Sequence, residues 1–400
     1  MAEGRLRPAW AEIDLDAVRH NVALLRRCAL PAALCAVVKA DAYGHGAVPV
    51  ARAALDAGAA RLAVALVDEG IELRDAKVSA PVLVLSEPAD LQGAEAAVGA
   101  GLAVTLASPE GLALVAAAAR NAGTRATVHV KVDTGMHRLG IGPAQAPALA
   151  AAVAADPALR LEAIWTHLSV ADGTSADDRA FTALQLERFD AVVRGLGERP
   201  TLVHAANTAA TVAWPASRYD MVRCGIGIYG LPPAAHMADD SPGGAGAVLG
   251  RLRPALSLRA RVSALRVLEA GERPSYGRRL ALERRSVVAT VPLGYADGVR
   301  RALFDAGCSV LVRGRRRRLA GVVTMDQVVV DCGDDDTVSV GDEVTFIGRQ
   351  GGEEIGAMEW AAMVGTIGYE VVCGIGARVP RVHVGASAEG WGAWRGGLSA

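Results

Sequence analysis

Residues 36–46 read Ala36-Val37-Val38-Lys39-Ala40-Asp41-Ala42-Tyr43-Gly44-His45-Gly46. In this stretch a lysine closes a short apolar run of the β type and is followed by a tyrosine and two glycines. A lysine ammonium at the end of a buried strand is costly unless it is paired, deprotonated or covalently used. Desolvation lowers the pKa of such a lysine and makes its amine a nucleophile toward aldehydes. The stretch therefore predicts a reactive amine at Lys39; the alternative is a strand-end lysine whose ammonium reaches solvent.

Around this stretch, short apolar runs alternate with alanine-rich helical segments from residue 34 to residue 230. Near-continuous apolar strands separated by helices indicate a parallel sheet that is covered on both faces. About eight such units favour a closed (β/α)8 barrel, with chemistry at the C-terminal ends of its strands. An open doubly wound sheet is the alternative, although no dinucleotide-type glycine fingerprint supports it. The predicted strands lie at 34–40, 61–66, 81–86, 102–107, 126–133, 161–167, 202–206 and 221–226, and clear helices at 48–57, 109–122 and 180–196.

The pattern changes after residues 232–250, which are rich in Pro, Gly, Ala and Ser and indicate a linker or surface loop. Beyond it, short alternating strands separated by turns predict an all-β second domain. We therefore expect an α/β chain with an N-terminal (β/α)8 barrel at 11–240 and a mostly β C-terminal domain at 250–386. Residues 1–10 are candidates for joining the second domain, and residues 387–400 are expected to form a flexible tail. The predicted strands of the second domain lie at 256–268, 285–291, 309–313, 320–331 and 343–347.

Composition argues against several classes of protein. The chain is 52% hydrophobic and 21% charged, and its formal net charge of −1 gives no general attraction to nucleic acid or an anionic membrane. The one basic run, 313–318, is interpreted as a solvated turn between two β segments, with nucleic-acid contact as the alternative. The six cysteines form no C-x-x-C pair, so reduced thiols are expected and no metal site is. Without an apolar signal core or a membrane-length apolar run, we expect a cytoplasmic protein.

Further motifs follow the first stretch along almost the whole chain. They are residues 132–140, 165–167, 204–208, 221–230, 275–277, 294–298, 324–327 and 368–370. Each motif is weak alone, but the set in this order resembles the alanine racemases, which are pyridoxal-phosphate-dependent enzymes of fold type III.

The resemblance implies two catalytic bases. Lys39 matches the lysine that binds pyridoxal phosphate covalently, and Tyr276 matches the tyrosine that serves the opposite face of the substrate. A phenol has a pKa near ~10, so a tyrosine base needs a stabilising cation nearby. By resemblance, His167 lies between Tyr276 and Arg223, and Arg223 faces the pyridine nitrogen. From the residues alone, a tyrosine between Ser275 and Gly277 is far more typical of a turn than of a catalytic base. Arg223 alone is equally typical of a salt bridge at the barrel rim.

The resemblance also implies the remaining site residues. The cofactor is expected to contact Tyr43, Arg138, Asn207, Thr208, Gly225, Ile226 and Tyr369, and the substrate to contact Arg138, Met325, Tyr295 and Asp172. Thr208 stands where the family often has serine, which keeps the hydroxyl. Ser169 and Thr324 also depart from the residues that are common in the family, so the shape of the pocket is left open. Lys131 matches a lysine that carries a carbamate in some relatives and supports Arg138; a salt bridge to Asp133 or Glu162 is the alternative.

The main functional hypothesis is interconversion of L- and D-alanine, which supplies D-alanine for peptidoglycan. A racemase of broad specificity that also acts on serine or lysine is the nearest alternative, because one or two methylenes change discrimination by only ~1–3 kcal/mol. A fold-related decarboxylase and a non-catalytic pyridoxal-phosphate carrier are further alternatives, and the β-rich half argues against the carrier. By resemblance, the active form is a head-to-tail homodimer in which Tyr276, Tyr295 and Met325 reach the opposite subunit.

Overall fold

The structure is a computed structural model that describes residues 6–238 and 245–385. The chain divides into two compact units. Of the described residues, the barrel unit comprises 17–42, 46–238 and 245–253, and the β-rich unit comprises 6–16, 43–45 and 254–385. Among the described residues, no helix is both long and apolar enough to cross a bilayer. The predicted tail, 387–400, lies outside the described residues, and the predicted boundaries at 240 and 250 remain predictions.

The chain begins with β1 (Ala9–Asp14) and α1 (Leu15–Ala29). Eight parallel strands then form a closed barrel. The first barrel strand, β2, pairs with the last, β9, so that Ala33 lies opposite Met221 and Ala36 lies opposite Cys224. This confirms the predicted fold class. The barrel strands are β2 (Ala33–Val37), β3 (Arg61–Val64), β4 (Val82–Val84), β5 (Ala103–Leu106), β6 (Ala126–Lys131), β7 (Leu159–Trp165), β8 (Leu202–His204) and β9 (Met221–Cys224).

Helices connect these strands and cover the barrel. Several begin at side-chain caps that the sequence supplies: Ser108, Ser175 and Asn207 each accept a hydrogen bond from a backbone N–H of the first turn. The helices that begin in this unit are α2 (Lys39–Gly44), whose last two residues belong to the β-rich unit, α3 (Ala47–Asp56), α4 (Val67–Asp75), α5 (Leu91–Gly99), α6 (Pro109–Asn121), α7 (Ala146–Ala155), α8 (Ala176–Arg194), α9 (Thr208–Ala213) and α10 (Ala245–Leu249).

Helix α2 winds in the left-handed sense. The φ angles of Ala40–Tyr43 lie between 50° and 54°. Left-handed geometry costs about 1–2 kcal/mol for each L-residue, so surrounding contacts must stabilise it. One such contact joins Asp41 to α3, since its Oδ1 accepts a 2.7 Å hydrogen bond from the N–H of Ala47. No feature of the sequence predicted this handedness, because such backbone strain leaves no pattern in residue type.

The β-rich unit contains two sheets. One has the strand order β14-β13-β16-β10-β1-β18, with β17 paired to β16, and the other has the order β11-β12-β15. N-terminal strand β1 lies between β10 and β18, so this segment completes the core sheet of the unit. The strands are β10 (Leu256–Arg261), β11 (Ala264–Leu268), β12 (Ser286–Val291), β13 (Ser309–Val312), β14 (Arg315–Arg318), β15 (Val328–Asp331), β16 (Glu343–Gln350), β17 (Glu353–Ile355) and β18 (Arg381–Val384).

Two details of the β-rich unit differ from the sequence-based expectation. The unit also contains helices α11 (Ala302–Asp305), α12 (Ala357–Met363) and α13 (Gly368–Cys373), so it is mostly β and not all β. The basic run 313–318 is a turn only at Arg313–Gly314; its remainder forms edge strand β14, where charged side chains are well suited to face water.

Candidate active site

Lys39 stands two residues beyond the end of β2 and begins the left-handed helix α2. Its side chain is half-buried at the C-terminal end of the barrel. Glu69 of α4 shapes this corner of the backbone. Its Oε1 accepts a 2.5 Å hydrogen bond from the N–H of Ala40, and its Oε2 accepts from Ala65 at 2.7 Å and Leu66 at 3.1 Å. One carboxylate therefore holds the backbone after Lys39 against the turn that follows β3.

A cluster of cations gathers at this end of the barrel. Lys131, the last residue of β6, interacts electrostatically with Arg223, Arg138 and Lys39. Burial and these positive neighbours lower the pKa of the Lys131 ammonium to about 8. Among the described residues, the alternative salt bridge of Lys131 to Asp133 or Glu162 is not formed. Lys131 Nζ instead lies 4.5 Å from the ring centroid of Trp165.

Arg223 is buried at the end of β9 and holds His167 in one tautomer. The Arg223 guanidinium lies 4.6 Å from the ring centroid of Trp165 and donates from Nη2 to His167 Nδ1 at 3.1 Å. A guanidinium only donates, so Nδ1 of His167 accepts and Nε2 carries the ring proton. Burial and the cations of the cluster hold the pKa of His167 far below its usual value, so this imidazole is neutral. Burial lowers the pKa of Arg223 to about 10, which leaves it charged at neutral pH.

The loop after β6 is built around Asp133. Its Oδ1 accepts 3.0 Å hydrogen bonds from the backbone N–H groups of Gly135 and His137. Gly140 allows the loop to fold back closely, since a Cβ there would lie 2.6 Å from the backbone nitrogen of Asp133. Arg138, at the exposed tip of this loop, therefore has a defined position from which its charge reaches the cluster.

The hydroxyl of Thr208 forms a hydrogen bond between the segments that follow β8 and β9. Asn207 caps α9 by accepting a 3.0 Å hydrogen bond from Ala210 N–H, and Thr208 begins the helix. Thr208 Oγ1 accepts a 3.0 Å hydrogen bond from the N–H of Gly225. Ile226 starts a short 3-10 helix, where the first backbone N–H groups have no partner within the helix. These residues present a hydroxyl and backbone amides, which are groups that suit a phosphate.

Asp172 lies in the loop between β7 and α8. Its backbone carbonyl accepts a 2.8 Å hydrogen bond from the His236 ring, which fixes the main chain at this position. The role of Asp172 at the channel entrance stays a prediction.

Within the β-rich unit, Tyr43 and Tyr369 form a tilted ring pair with centroids 6.0 Å apart. Tyr43 is buried, and burial raises the pKa of its phenol, so the hydroxyl stays protonated. Gly44 follows in the same turn, where a Cβ would lie 2.8 Å from the carbonyl oxygen of Val372 in α13. The helix that carries Tyr369 is therefore in close contact with the end of the left-handed turn.

Three loops of the β-rich unit are joined around the remaining predicted residues. Ser275 Oγ donates a 2.7 Å hydrogen bond to the carbonyl of Val322, which fixes the turn carrying Tyr276. Tyr295 N–H donates to the carbonyl of Thr324 at 2.9 Å, which fixes Tyr295 beside the loop of Met325. The side chains of Tyr276, Tyr295 and Met325 remain 71%, 42% and 52% exposed.

The chain is similar to known proteins over both units. The family described as "Alanine racemase, N-terminal domain" matches residues 13–233, and the family described as "Alanine racemase, C-terminal domain" matches residues 255–383. An alanine racemase of Symbiobacterium thermophilum is 48% identical over 386 residues, which are 96% of this chain and 99% of that protein. The chain belongs to the alanine racemase family.

Solved structures of alanine racemases share the fold. The alanine racemase of Streptomyces lavendulae, a producer of D-cycloserine, has a TM-score of 0.87 and 40% identity, with 97% of this chain and 99% of that chain covered. The alanine racemase of Bacillus anthracis with bound L-Ala-P has a TM-score of 0.86 and 35% identity, with 95% and 96% covered. The family and the enzyme class predicted from sequence are confirmed.

The residues at the barrel rim fit pyridoxal phosphate, the cofactor implied by the alanine racemase family. This cofactor is flat and anionic, and its aldehyde binds covalently to the amine of a lysine side chain. The rim offers the amine of Lys39 and a cation cluster whose neighbouring carboxylates are engaged elsewhere: Asp133 binds backbone amides, and Glu162 binds Arg61 and His129. The hydroxyl of Thr208 and the backbone around Gly225 add groups for a phosphate.

Reasoning from sequence gave no role to Glu69, Asp297, His129 and His204, and it considered Glu162 only as an alternative partner of Lys131. Glu69 and Asp297 shape loops next to predicted site residues, and His129, His204 and Glu162 lie inside the barrel behind Arg223. Two signals were present in the sequence. His204 and Asp297 stand within the quoted motifs, and His129 alternates with valine in β6, although a histidine on a barrel strand is not distinctive by itself.

Proposed function

We propose that this member of the alanine racemase family interconverts L-alanine and D-alanine with pyridoxal phosphate, using Lys39 and Tyr276 as the two bases. The observation that carries the proposal is the position of Lys39. It stands at the C-terminal end of a barrel strand, on a strained left-handed turn, and within electrostatic reach of Lys131 and other cations. A half-buried amine at this position is placed to act as a nucleophile toward the aldehyde of the cofactor.

By resemblance to the alanine racemase family, the residues predicted from the sequence would hold the cofactor. Lys39 would bind it covalently, and Arg138, His167, Asn207 and Arg223 would surround its ring. Its phosphate would be held by Tyr43, Thr208, Gly225, Ile226 and Tyr369. When bound, pyridoxal phosphate would supply an electron sink that weakens the bond between the substrate Cα and its hydrogen.

Arg223 would favour return of the proton to Cα. A guanidinium effectively never gives up its proton, so Arg223 would face the ring nitrogen without protonating it. Arg223 would thus limit the charge that the pyridine ring of the cofactor accepts, which would favour reprotonation at Cα over transamination. His167 receives a hydrogen bond from Arg223 and keeps its proton on Nε2, so it has a donor with which to stabilise a neighbouring phenolate.

Racemisation requires proton removal on one face of Cα and delivery on the other. Lys39 would serve one face, and the phenol of Tyr276 would serve the other. Arg138 and the backbone amide of Met325 would hold the substrate carboxylate, and Tyr295 and Asp172 would line the entrance. The exposure of Tyr276, Tyr295 and Met325 supports a head-to-tail homodimer in which these side chains complete the site of the opposite subunit.

Lys131 would carry a carbamate that supports Arg138. The low pKa of Lys131 favours this modification because carbon dioxide reacts with the neutral amine. We further propose a cytoplasmic role in which the product, D-alanine, supplies peptidoglycan synthesis. Rescue of a bacterial strain that requires D-alanine would test that role.

The deciding experiment is chiral analysis of the purified, cofactor-loaded protein in D2O with L-alanine, L-serine and L-lysine. We expect rapid formation of D-alanine with deuterium at Cα and little product from serine or lysine. Comparable turnover of all three substrates would replace the proposal with a racemase of broad specificity. Bound cofactor without exchange of the Cα hydrogen would contradict catalysis and favour a carrier.

A further inference from the structure

A continuous row of hydrogen bonds runs through the barrel interior behind Arg223. Arg223 Nη1 lies 2.7 Å from His204 Nδ1, and His204 Nε2 lies 3.1 Å from His129 Nδ1. His129 Nε2 lies 2.8 Å from Glu162 Oε2, which also accepts a 2.7 Å hydrogen bond from Arg61 Nη1. The row thus connects the rim at the end of β9 with Arg61 at the start of β3, and both imidazoles are fully buried.

The chemistry of the end groups fixes the direction of every bond in this row. The Arg223 guanidinium can only donate, so His204 must accept at Nδ1 and carry its proton on Nε2. His204 then donates to His129 Nδ1, so His129 must carry its proton on Nε2 and donate it to Glu162. A protonated His129 would place two N–H groups face to face and break the row. Burial also lowers the pKa of both imidazoles, which agrees with two neutral rings.

The row also determines how Arg223 is held. The rings of His204 and Trp165 are stacked, with centroids 5.5 Å apart and planes 11° apart, and Trp165 lies against the Arg223 guanidinium. Arg223 Nη2 donates to the carbonyls of Thr166 and Ala205, both at 2.9 Å. If His204 rotated or changed tautomer, a donor would face Nη1, and the guanidinium would have to move away from this position.

We propose that Glu162 is a positioning residue that fixes the tautomers of His129 and His204 and thereby holds Arg223 in place. The inference rests on the proposed function only for the consequence at the active site. The tautomers themselves are a property of the chain. The rings of His129 and His204 separate Glu162 from Arg223, so its effect on the reaction would pass through two neutral rings.

The first test is nitrogen NMR of the full-length protein labelled in its histidine rings. The chain has eight histidines, and the His129→Gln and His204→Asn variants assign the two signals of interest. We expect both rings to be neutral with the proton on Nε2 in the wild-type protein. A proton on Nδ1 of either ring, or a protonated His129, would overturn the directed row without any activity measurement.

The second test compares two variants of Glu162. Glu162→Gln keeps an oxygen that can accept hydrogen bonds from His129 and Arg61. Both histidine rings should therefore stay in the Nε2–H form, and most of the activity should remain. Glu162→Met leaves the Nε2–H of His129 buried without an acceptor, and this cost should drive at least one ring out of the Nε2–H form even though Arg223 still donates to His204. Displacement of Arg223 should then lower kcat roughly 10- to 100-fold. KM should change much less, because Arg138 and Met325 would still bind the substrate.

Asp190 provides the matched control, since this half-buried carboxylate accepts a 2.7 Å hydrogen bond from the Tyr219 phenol elsewhere in the barrel unit. Asp190→Asn and Asp190→Met should leave the histidine signals and kcat unchanged. The proposal is wrong if Glu162→Met keeps both rings in the Nε2–H form and retains full activity. It is also wrong if Glu162→Gln lowers kcat as much as Glu162→Met does. If His129 and His204 both carry their proton on Nε2 in the wild-type protein but the protein racemises no amino acid, the proposed function fails. The tautomer assignment then still stands.

Discussion

Glu69 accepts a 2.5 Å hydrogen bond from the N–H of Ala40, the residue directly after Lys39. The same carboxylate holds two amides of the turn after β3, so the start of the left-handed helix is fixed to a neighbouring element of the barrel. Backbone strain at a functional site persists only where the surroundings determine it. This contact helps to stabilise the left-handed backbone after Lys39, which a right-handed helix or a continued strand would not provide.

Lys39→Ala should abolish the visible absorption of bound pyridoxal phosphate and lower racemisation by at least about 10³-fold, because the covalent nucleophile is lost. Absorption spectra and chiral analysis of the reaction would measure both effects. Lys77→Ala is the matched control, since Lys77 is exposed and follows α4. Normal cofactor binding and activity in Lys39→Ala would contradict the assignment of the nucleophile.

Tyr276→Phe should lower racemisation in both directions by roughly 10²- to 10⁴-fold, the range expected for loss of a general acid–base group. In D2O, one enantiomer should still exchange its Cα hydrogen, because Lys39 continues to serve one face. Tyr219→Phe removes a phenol of the barrel unit that binds Asp190 and should leave both rates unchanged. Wild-type racemisation by Tyr276→Phe would refute the two-base mechanism.

Lys131 should lose its proton with a midpoint near pH 8, since burial and Arg223 disfavour the ammonium. The chain has only three lysines, so carbon NMR of labelled lysine side chains in buffer free of carbon dioxide can follow each one. The unfolded chain binds the proton more tightly, so the contribution of Lys131 to the free energy of unfolding should rise between pH 8 and pH 10.5. A midpoint near the ordinary lysine value of ~10.4 would contradict the environment described above.

Labelled bicarbonate provides a second readout at the same residue. Above the midpoint, the neutral amine should form a carbamate, seen as one new carbonyl signal that is missing in Lys131→Ala. Loss of that signal on lowering the pH would follow from protonation of the amine. A carbamate signal that survives in Lys131→Ala would assign the modification to another lysine.

Asp297→Asn should destabilise the β-rich unit by about 3 kcal/mol, because it removes a buried carboxylate that binds Arg7. Asp297 also accepts a 2.9 Å hydrogen bond from Gly294 N–H, so the loop that carries Tyr295 should loosen and kcat/KM should fall roughly 10-fold. Urea unfolding and steady-state kinetics would measure the two effects.

Asp305→Asn is the matched control for this prediction. Asp305 forms an exposed ion pair with Arg279 at 2.7 Å, and loss of such a pair should cost at most about 1 kcal/mol. Equal effects of Asp297→Asn and Asp305→Asn would show that the buried carboxylate has no special role in holding its loop.

Much of the barrel could be predicted from the sequence, because parallel strands buried on both faces leave continuous apolar runs separated by helices. The rim positions followed from the same reasoning: Lys39, His167 and Arg223 do lie at the C-terminal ends of their strands. The β-rich unit was predicted less fully. Ala320–Asp331 was expected to be one strand, yet only Val328–Asp331 is, since the rest forms the loop that carries Met325.

The amino-acid sequence by itself determined the repeating strand–helix pattern and the identity of the reactive groups, because periodicity and residue chemistry are local properties. Tertiary structure alone decided that Lys39 begins a left-handed helix, that β1 completes the C-terminal sheet, and that Arg223 is held through two histidines by Glu162. Each of these depends on contacts between residues far apart in the chain. The free energy of such contacts has no signature in the residues on either side of them.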